Sequence, residues 1–549
     1  MHSGWHYMRV KLGTLAQCRH HKSLFLPQMA LCLLLVPMTS AFTRLTAPVL
    51  RNSLLALALS APLWQLTPAQ AQVALPNMGD GAEMTTSEER RLGDRIIRSL
   101  YRDPDYIDDP QLHAYVMGIW HPLVQAAKAR GDLSAELEER FAWQVLLGRD
   151  KSINAFALPG GYLGVHLGLI GVVSSRDELA TVLAHELTHV TQRHIARMFG
   201  EEKKNLPFLI AGMVLGALAA SKHPDAANAM IVGGQAAAIQ NQLSFSRSME
   251  READRIGYSL LAPAGFAPQG AVSMFEKLQH ASRLNDNGSW PYLRSHPLTT
   301  ERIADMQTRV PHDQGKPPTS TMEHAMMAGR ARVLSRPGTD KLRQWIQLPQ
   351  MSEFAQRDAR EQAAQLYVAA LSQLELKNVS QALGLWSQLH AHVQATGDAA
   401  AKQQVQWLGA EIELAARQPT AAWHLLEDTD LRGVVERPTL ILGSQALLGI
   451  GQPNKVSDRL QSWVVEHPQD ATAWRLLSQA WQAQNQSLRA VRAEAEAHVA
   501  HYDYAAAVDR FKAAQDLARR GQGDHIEASI IDTRLRSVED LLREQAREK

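Results

Sequence analysis

The sequence is nearly devoid of cysteine. Only Cys18 and Cys32 occur among its 549 residues, and both precede residue 72. Residues 72–549 therefore contain no thiol, which excludes disulfide scaffolds, cysteine catalysis and thiolate metal ligation from that part of the chain. A catalytic metal there would depend on histidine and carboxylate ligands.

The chain also lacks an excess of charge of either sign, with 57 Lys and Arg against 56 Asp and Glu side chains. Residues 1–71 hold six basic side chains and no acidic one, which leaves 51 basic against 56 acidic side chains, a net charge of −5, for residues 72–549. A chain with this balance has no general attraction to phosphate backbones. We therefore expect no nucleic-acid partner.

Long apolar runs are missing after residue 71, where none reaches the roughly 18 residues that a membrane-spanning helix requires. The segment that comes nearest is 206–239, which is rich in glycine and alanine. We interpret it as a buried helical hairpin. Peripheral contact with a membrane surface is the alternative, although the segment has no basic face.

The first 71 residues have the pattern of an export signal. Two arginines precede the apolar run 54–66, and an A-x-A cleavage site ends at Ala71. An earlier uncharged stretch, 23–42, is either an amino-terminal anchor or sequence that precedes an internal start at Met38. We favour the internal start and predict a signal peptide within 1–71.

The remaining chain divides into two parts of different character. Residues 80–310 mix helical periodicity with one glycine-rich, β-branched stretch, whereas 322–549 read as successive helices. Between them, 311–321 contains three prolines and one glycine, a composition typical of a linker.

Small or apolar residues recur in the helical part at spacings of four and three. Two such sets begin at Val456 and Ala490, 34 residues apart, and Trp474 and Trp481 occupy first-helix marker positions of a tetratricopeptide (TPR) unit. Ala507 follows Ala490 by only 17 residues, which implies a degenerate or unpaired helix. We predict an all-α, TPR-like solenoid over 322–549 that binds protein partners, with an ordinary helical bundle as the alternative.

Residues 175–189 are predicted to form the helix that carries the catalytic residues. They begin with an S-x-x-E capping box and continue with helix-forming residues. His185 and His189 are four residues apart, so both imidazoles reach one metal ion from the same helix face. Glu186 lies beside them without being a ligand. This is the H-E-x-x-H pattern, in which two histidines bind Zn²⁺ and the glutamate acts as general base towards water.

A third ligand must come from elsewhere in the chain. His194 lies nine residues after His185, which turns it about 180° away on the same helix, so we expect it to stay outside the site. The glycine and third histidine of the metzincins are absent at their required positions. On a second predicted helix, Glu250 and Asp254 share a face while Glu252 points away. We assign Glu250 as a metal ligand and Asp254 as the hydrogen-bond partner of a ligating imidazole.

These motifs together carry a family resemblance. With N-A-F-A-L-P-G-G-Y at 154–162, S-H-P at 295–297 and Arg302 beyond it, the sequence resembles the gluzincin zinc peptidases related to the CAAX prenyl endopeptidase and HtpX. The resemblance is greatest to their soluble periplasmic branch, which carries carboxy-terminal TPR repeats. It implies a mostly helical, α+β zincin-like catalytic domain with a small sheet over 72–310. The lack of spanning segments argues against prenyl-protein substrates.

Two flanking motifs have roles that the resemblance leaves open. The alternation after the Gly-Gly pair predicts a turn and a strand within 156–170, which is either an edge that binds extended substrates or a plain core strand. His296 either occupies the open position of the zinc, stabilises the oxyanion, or is a surface histidine before a proline turn.

The resemblance implies a function as well as a fold. We expect a periplasmic zinc endopeptidase whose TPR arm selects misfolded or stalled outer-membrane β-barrel proteins and contacts their assembly machinery. The alternative is a chaperone-like assembly factor in which the repeats act and the zinc site is latent.

Overall fold

The structure of the protein, a computed structural model, describes residues of the compact unit Asn77–Lys549. The predicted signal peptide, the apolar segment 206–239 and nearly all of the predicted linker lie outside the described residues. Within the described part, no helix has both the length and the apolar character needed to cross a bilayer. The described stretches are 84–199, 246–283, 290–309, 320–430, 435–521 and 525–547.

The part of the chain before the predicted linker is mostly helical with one small sheet. The sheet strands are β1 (Tyr106–Ile107), β2 (Gln144–Gly148), β3 (Ala155–Leu158) and β4 (Tyr162–His166). The helices are α1 (Thr86–Tyr101), α2 (Pro110–Arg130), α3 (Ala135–Arg140), α4 (Leu167–Val172), α5 (Arg176–Thr191), α6 (His194–Phe199), α7 (Arg247–Leu261), α8 (Gln269–Arg283), α9 (Tyr292–Ser295) and α10 (Thr300–Arg309).

The strands have the order β1-β2-β4-β3, so β3 lies at one edge of the sheet. Strand β3 pairs antiparallel with β4 across a turn in which Gly160 and Gly161 have φ of 75° and 84°, the left-handed region that glycine adopts without strain. Every residue of β4 is buried, as expected of a central strand covered on both faces. The predicted strand is shorter than expected, because Leu167 already begins α4.

Helix α5 carries the H-E-x-x-H motif through the middle of this half. Ser175 caps it by accepting a hydrogen bond from the Glu178 backbone N–H at 3.2 Å, as the sequence predicts. The Glu178 side chain completes the cap at the residue before Ser175, since its Oε2 accepts a hydrogen bond from the Ser174 backbone N–H at 2.6 Å. From Glu178 onwards every residue of α5 is buried, among α2, α7, α8 and β3.

The second half is helical throughout its described residues. From helix α12 (Thr339–Gln347) onwards, consecutive helices pack against one another along the chain. Two short 3₁₀ turns, Leu348–Gln350 and Ser352–Gln356, interrupt the series. The helices are α11 (Met322–Leu334), α12 (Thr339–Gln347), α13 (Ala359–Glu375), α14 (Val379–Thr396), α15 (Ala399–Ala415), α16 (Pro419–Asp430), α17 (Arg437–Gly449), α18 (Pro453–Glu466), α19 (Ala471–Ala483), α20 (Ser487–Ala500), α21 (Tyr504–Arg519) and α22 (His525–Arg547).

One hydrophobic core extends across both halves. It contains Leu183 of α5, Met327 of α11 and Leu408 of α15, all fully buried. Helix α11 packs on α4 as well as on α13, so the first helices after the predicted linker complete the core of the preceding half. The prediction of a mostly helical chain with a small sheet is confirmed.

Buried ion pairs, like the apolar core, connect the two halves. The fully buried Arg330 of α11 donates to Asp109 at the start of α2, with its Nε 2.9 Å from Oδ1, and to Glu411 Oε2 of α15 at 2.9 Å. Asp109 also caps α2, accepting from the Leu112 backbone at 2.8 Å. One guanidinium therefore neutralises carboxylates from both halves.

We predict that Arg330→Ala lowers the free energy of unfolding by about 3–5 kcal/mol, because it leaves Asp109 buried without its cation. Chemical denaturation followed by circular dichroism measures the loss. The matched control is Arg343→Ala, which removes an exposed i,i+3 pair with Asp340 and should cost less than about 0.5 kcal/mol. Equal unfolding midpoints for the two variants would contradict the prediction.

Candidate active site

Helix α5 brings the two histidines of the motif together in the interior. His185 and His189 are 5% and 1% exposed, and their Nε2 atoms lie 3.0 Å apart. Both rings use their other nitrogen elsewhere, so the two Nε2 atoms converge on one point. This convergence is what the i,i+4 spacing predicts.

Glu250 approaches the same point from α7. Its two carboxylate oxygens each lie 3.5 Å from a histidine nitrogen, Oε2 from His185 Nε2 and Oε1 from His189 Nε2. Helix α7 comes this close because Gly257 faces α5, where a Cβ would lie only 3.1 Å from the Ala184 carbonyl. The structure thus brings Glu250 to the two histidines.

His296 enters the group from the turn after α9. Its Nδ1 lies 3.0 Å from Glu250 Oε1 and 3.3 Å from His185 Nε2. The side chain is only 2% exposed, and its ring stacks on Tyr292 with centroids 4.6 Å apart. The interpretation of His296 as a surface histidine is therefore wrong.

These four side chains form a group that fits a metal ion. One donor atom from each of His185, His189, Glu250 and His296 lies within 4.8 Å of the others. Metal–nitrogen bonds of about 2.1 Å in a tetrahedron place ligand atoms about 3.4 Å apart, close to the separations in this group. Glu250 Oε2 is buried 2.7 Å from Arg302 Nη1, and this guanidinium favours the ionised carboxylate that a metal ligand must be.

The electrostatics of the group follow from burial and mutual contact. Burial alone would lower the pKa of His185, but its hydrogen bonds to Asp254 and Glu250 raise it to about 10. Burial and the neighbouring His185 hold the pKa of His189 well below its usual value. Burial opposes ionisation of Glu250, yet His296 and His185 keep its pKa well below the ordinary range. A carboxylate that is ionised here is available to a cation.

Glu186 is positioned by the sheet edge rather than by the metal group. Its Oε2 accepts a hydrogen bond from the Ala157 backbone N–H of β3 at 2.9 Å. Its Oε1 lies 3.4 Å from His296 Nε2 and has no hydrogen-bond partner. Burial raises the pKa of this carboxyl, which suits a group that takes up a proton during a reaction.

Asp254 and Arg302 support the ligands from behind. Asp254 Oδ1 lies 3.0 Å from His185 Nδ1, the contact that the sequence predicts for it. Arg302 donates to both oxygens of Asp254, at 2.6 and 2.8 Å, and its Nη1 pairs with Glu250 Oε2 at 2.7 Å. Arg302 belongs to the sequence motif that follows S-H-P, but that motif alone indicates no role for it.

The expectation for His194 is wrong in one respect. The helix does not continue to it: α5 ends at Thr191, Arg193 adopts φ of 51°, and α6 begins at His194. This break turns the His194 ring back, so that its Nδ1 lies 2.8 Å from His189 Nδ1. Burial lowers the pKa of His194 to about 4, which keeps the ring neutral. His194 is outside the four-donor group but contacts one of its members.

A glutamate held beside a buried group of potential metal ligands is the arrangement of a metallopeptidase. Residues 121–310 match peptidase family M48. The chain is 30% identical over 459 residues to the beta-barrel assembly-enhancing protease of Escherichia coli strain K12, covering 82% of this chain and 89% of that protein. It is 33% identical over 344 residues to a putative beta-barrel assembly-enhancing protease of Vibrio cholerae, covering 62% and 68%.

A further similarity covers a shorter part of the chain. The chain is 38% identical over 202 residues to the mitochondrial metalloendopeptidase OMA1 of Arabidopsis thaliana, which is 37% of this chain and 36% of that protein. With these matches the chain belongs to peptidase family M48, a family of metal-dependent peptidases. The prediction that it is a metalloendopeptidase is confirmed.

We predict that Asp254→Asn lowers metal affinity by about 10–100-fold, because His185 Nδ1 loses a charged acceptor. Competition with a chromophoric chelator measures the affinity. Asp305→Asn is the control, since Asp305 forms only a part-exposed i,i+4 pair with Arg309 on α10 and should bind metal as the wild type does. A folded Asp254→Asn protein whose affinity stays within about twofold of the wild type would contradict the assigned contact.

Proposed function

We propose that the protein is a zinc-dependent endopeptidase of the periplasm that acts in quality control and assembly of outer-membrane β-barrel proteins. The four-donor group beside Glu186 carries the chemical part of the proposal. Relatives named beta-barrel assembly-enhancing proteases, aligned over most of their length, support the substrate class. The signal-peptide pattern before residue 72 supports export.

Zinc is the metal that suits these donors. Two or three imidazoles with one carboxylate in a near-tetrahedral group are typical of zinc sites, and thiolates are not needed. His185, His189 and Glu250 would hold the ion. When bound, it would supply Lewis-acid polarisation of the scissile carbonyl and activation of water.

Glu186 performs the proton transfers in this proposal. Its Oε1 faces the group and has no competing hydrogen bond, so it accepts the proton of the attacking water. Its Oε2 stays fixed on the Ala157 backbone, which holds the carboxylate in one orientation. The same carboxyl then returns the proton to the departing amine, and one peptide bond is hydrolysed.

Strand β3 positions the substrate. Among the described residues it pairs only with β4, so the main-chain groups of its other edge that Glu186 does not occupy can hydrogen-bond an extended peptide. Ala157 links this edge directly to Glu186. A peptide added along β3 would therefore run past the catalytic base.

The helical half is proposed to be a TPR-like arm. Val456 and Ala490, 34 residues apart, lie on α18 and α20, the second helices of consecutive pairs, and both are buried. Trp474 and Trp481 of α19 are buried at the positions expected of a first helix. Ala507 lies on α21, which packs on α22, so the half-period offset marks the first helix of a further pair.

The experiment that tests the proposal is Glu186→Gln. The amide keeps an oxygen for the Ala157 contact but cannot accept a proton, so zinc content should be unchanged while cleavage falls by about 10²–10⁴-fold. Zinc is measured by mass spectrometry and cleavage on an unfolded outer-membrane β-barrel protein. Glu353→Gln, at an exposed position on a 3₁₀ turn, is the control. Undiminished cleavage by Glu186→Gln would refute the assignment.

His296 is proposed to hold the site closed. Its Nδ1 lies within the donor group, where it would take the position that a substrate carbonyl needs. We predict that His296→Ala raises cleavage at least about threefold, because more of the protein is open to substrate. His280→Ala, an exposed histidine on α8, should change nothing. A fall in activity instead would favour the alternative role in stabilising the oxyanion.

The closed geometry is also the observation that favours the second candidate function, a chaperone-like assembly factor with a latent zinc site. In that case the helical arm would bind unfolded β-barrel proteins without cleaving them. The Glu186→Gln protein distinguishes the two functions. If it still promotes insertion of a β-barrel protein into outer-membrane vesicles, the arm acts independently of proteolysis.

A further inference from the structure

We propose that His194 and Glu252 form a hydrogen-bonded chain that positions His189 as a metal ligand and fixes the nitrogen it offers. The chain runs from Glu252 Oε2 to His194 Nε2 at 3.2 Å, and from His194 Nδ1 to His189 Nδ1 at 2.8 Å. The inference rests on the proposed metal site, and it concerns residues that do not touch the ion.

The proton positions in this chain follow from which atoms can donate. A carboxylate only accepts hydrogen bonds, so the nitrogen of His194 that faces Glu252 must carry the proton. In a neutral ring the other nitrogen, Nδ1, then has a free lone pair and accepts from His189 Nδ1. His189 Nε2 is thereby left unprotonated, and this is the atom that converges on His185 Nε2.

The two ligating histidines are therefore supported in different ways. His185 has a carboxylate directly on Nδ1, that of Asp254 at 3.0 Å. His189 has a carboxylate at the same ring position only through an intervening imidazole. A metal-bound histidine that donates its other N–H to such a partner is oriented and made more basic by it.

The position of His194 depends on a backbone break that is held from outside the site. Arg193 is in the left-handed region at φ of 51°, which is uncommon for a residue other than glycine. Its side chain donates to Glu89 of α1, with Nε 2.9 Å from Oε2, and to the Met84 carbonyl. At the other end of the chain, Arg197 Nη1 pairs with Glu252 Oε2 at 3.0 Å.

The alternative is that His194 is a packed core histidine with no effect on the ligand, since its side chain is fully buried. Substitutions of different hydrogen-bonding ability separate the two roles. His194→Leu fills the space without a polar atom, whereas His194→Gln retains an acceptor oxygen and a donor nitrogen on a chain of similar reach. Glu252→Gln changes only the part-exposed end, where the side chain is 28% exposed.

The test measures zinc affinity by chelator competition, together with the visible absorption spectrum of the cobalt(II)-loaded full chain. We expect His194→Leu to lower zinc affinity about 10–100-fold and to shift the cobalt spectrum, and we expect His194→Gln to recover most of the loss. Glu252→Gln should lower affinity by a smaller factor. Glu301→Gln, an exposed carboxylate paired with Arg251, is the matched control.

Two results would overturn the positioning role. If His194→Leu and Glu252→Gln bind zinc as the wild type does, or if Leu and Gln at position 194 have equal effects, the positioning role is wrong. Urea midpoints of the metal-free proteins show whether any loss reflects unfolding, and Glu252→Gln tests the chain where no buried residue changes. A wild-type chain that binds no zinc would instead overturn the proposed function.

Discussion

The rest of the structure depends on keeping a group of ionisable side chains out of water. Glu186, Glu250 and His189 are each at most 1% exposed, and moving charge into such an environment is costly unless it is paired. The surrounding polar groups meet that requirement. Arg302 neutralises Asp254 and Glu250, and the β3 backbone satisfies one oxygen of Glu186. Glu186 Oε1, which faces the four-donor group, is left without a hydrogen-bond partner.

This constraint explains why the elements lie where they do. Helix α5 is buried along nearly its whole length, so partners for its polar side chains must come from elements packed against it. Helix α7 supplies Glu250 and Asp254, β3 supplies a backbone donor, and the turn after α9 supplies His296. The helices after the predicted linker cover the same core from the far side. The catalytic half is therefore completed by packing from the second half.

The sequence predicts the features that depend on residues close together in the chain. The i,i+4 spacing of His185 and His189 needs only helix geometry. The capping box fixes where their helix begins, and both features are found in the structure. The end of that helix depends on the contact between Arg193 and Glu89, 104 residues apart. Periodicity contains no information on such a contact, so it does not predict that His194 turns back towards His189.

The two histidines of the motif differ in the side chains that support them. Arg302 donates to Asp254 and also to the Pro297 carbonyl, the latter at 2.9 Å. The side chains that hold His185 therefore belong to the same network of contacts as the turn that carries His296. The support of His189 runs instead through His194 to Glu252 and Arg197. A displacement of His296 therefore reaches His185 through Arg302 and Asp254 as well as through Glu250, while the groups behind His189 lie on α6 and α7. Both histidines of the motif contact Glu250, but the side chains on their Nδ1 atoms differ: Asp254 with Arg302 for His185, and His194 with Glu252 for His189.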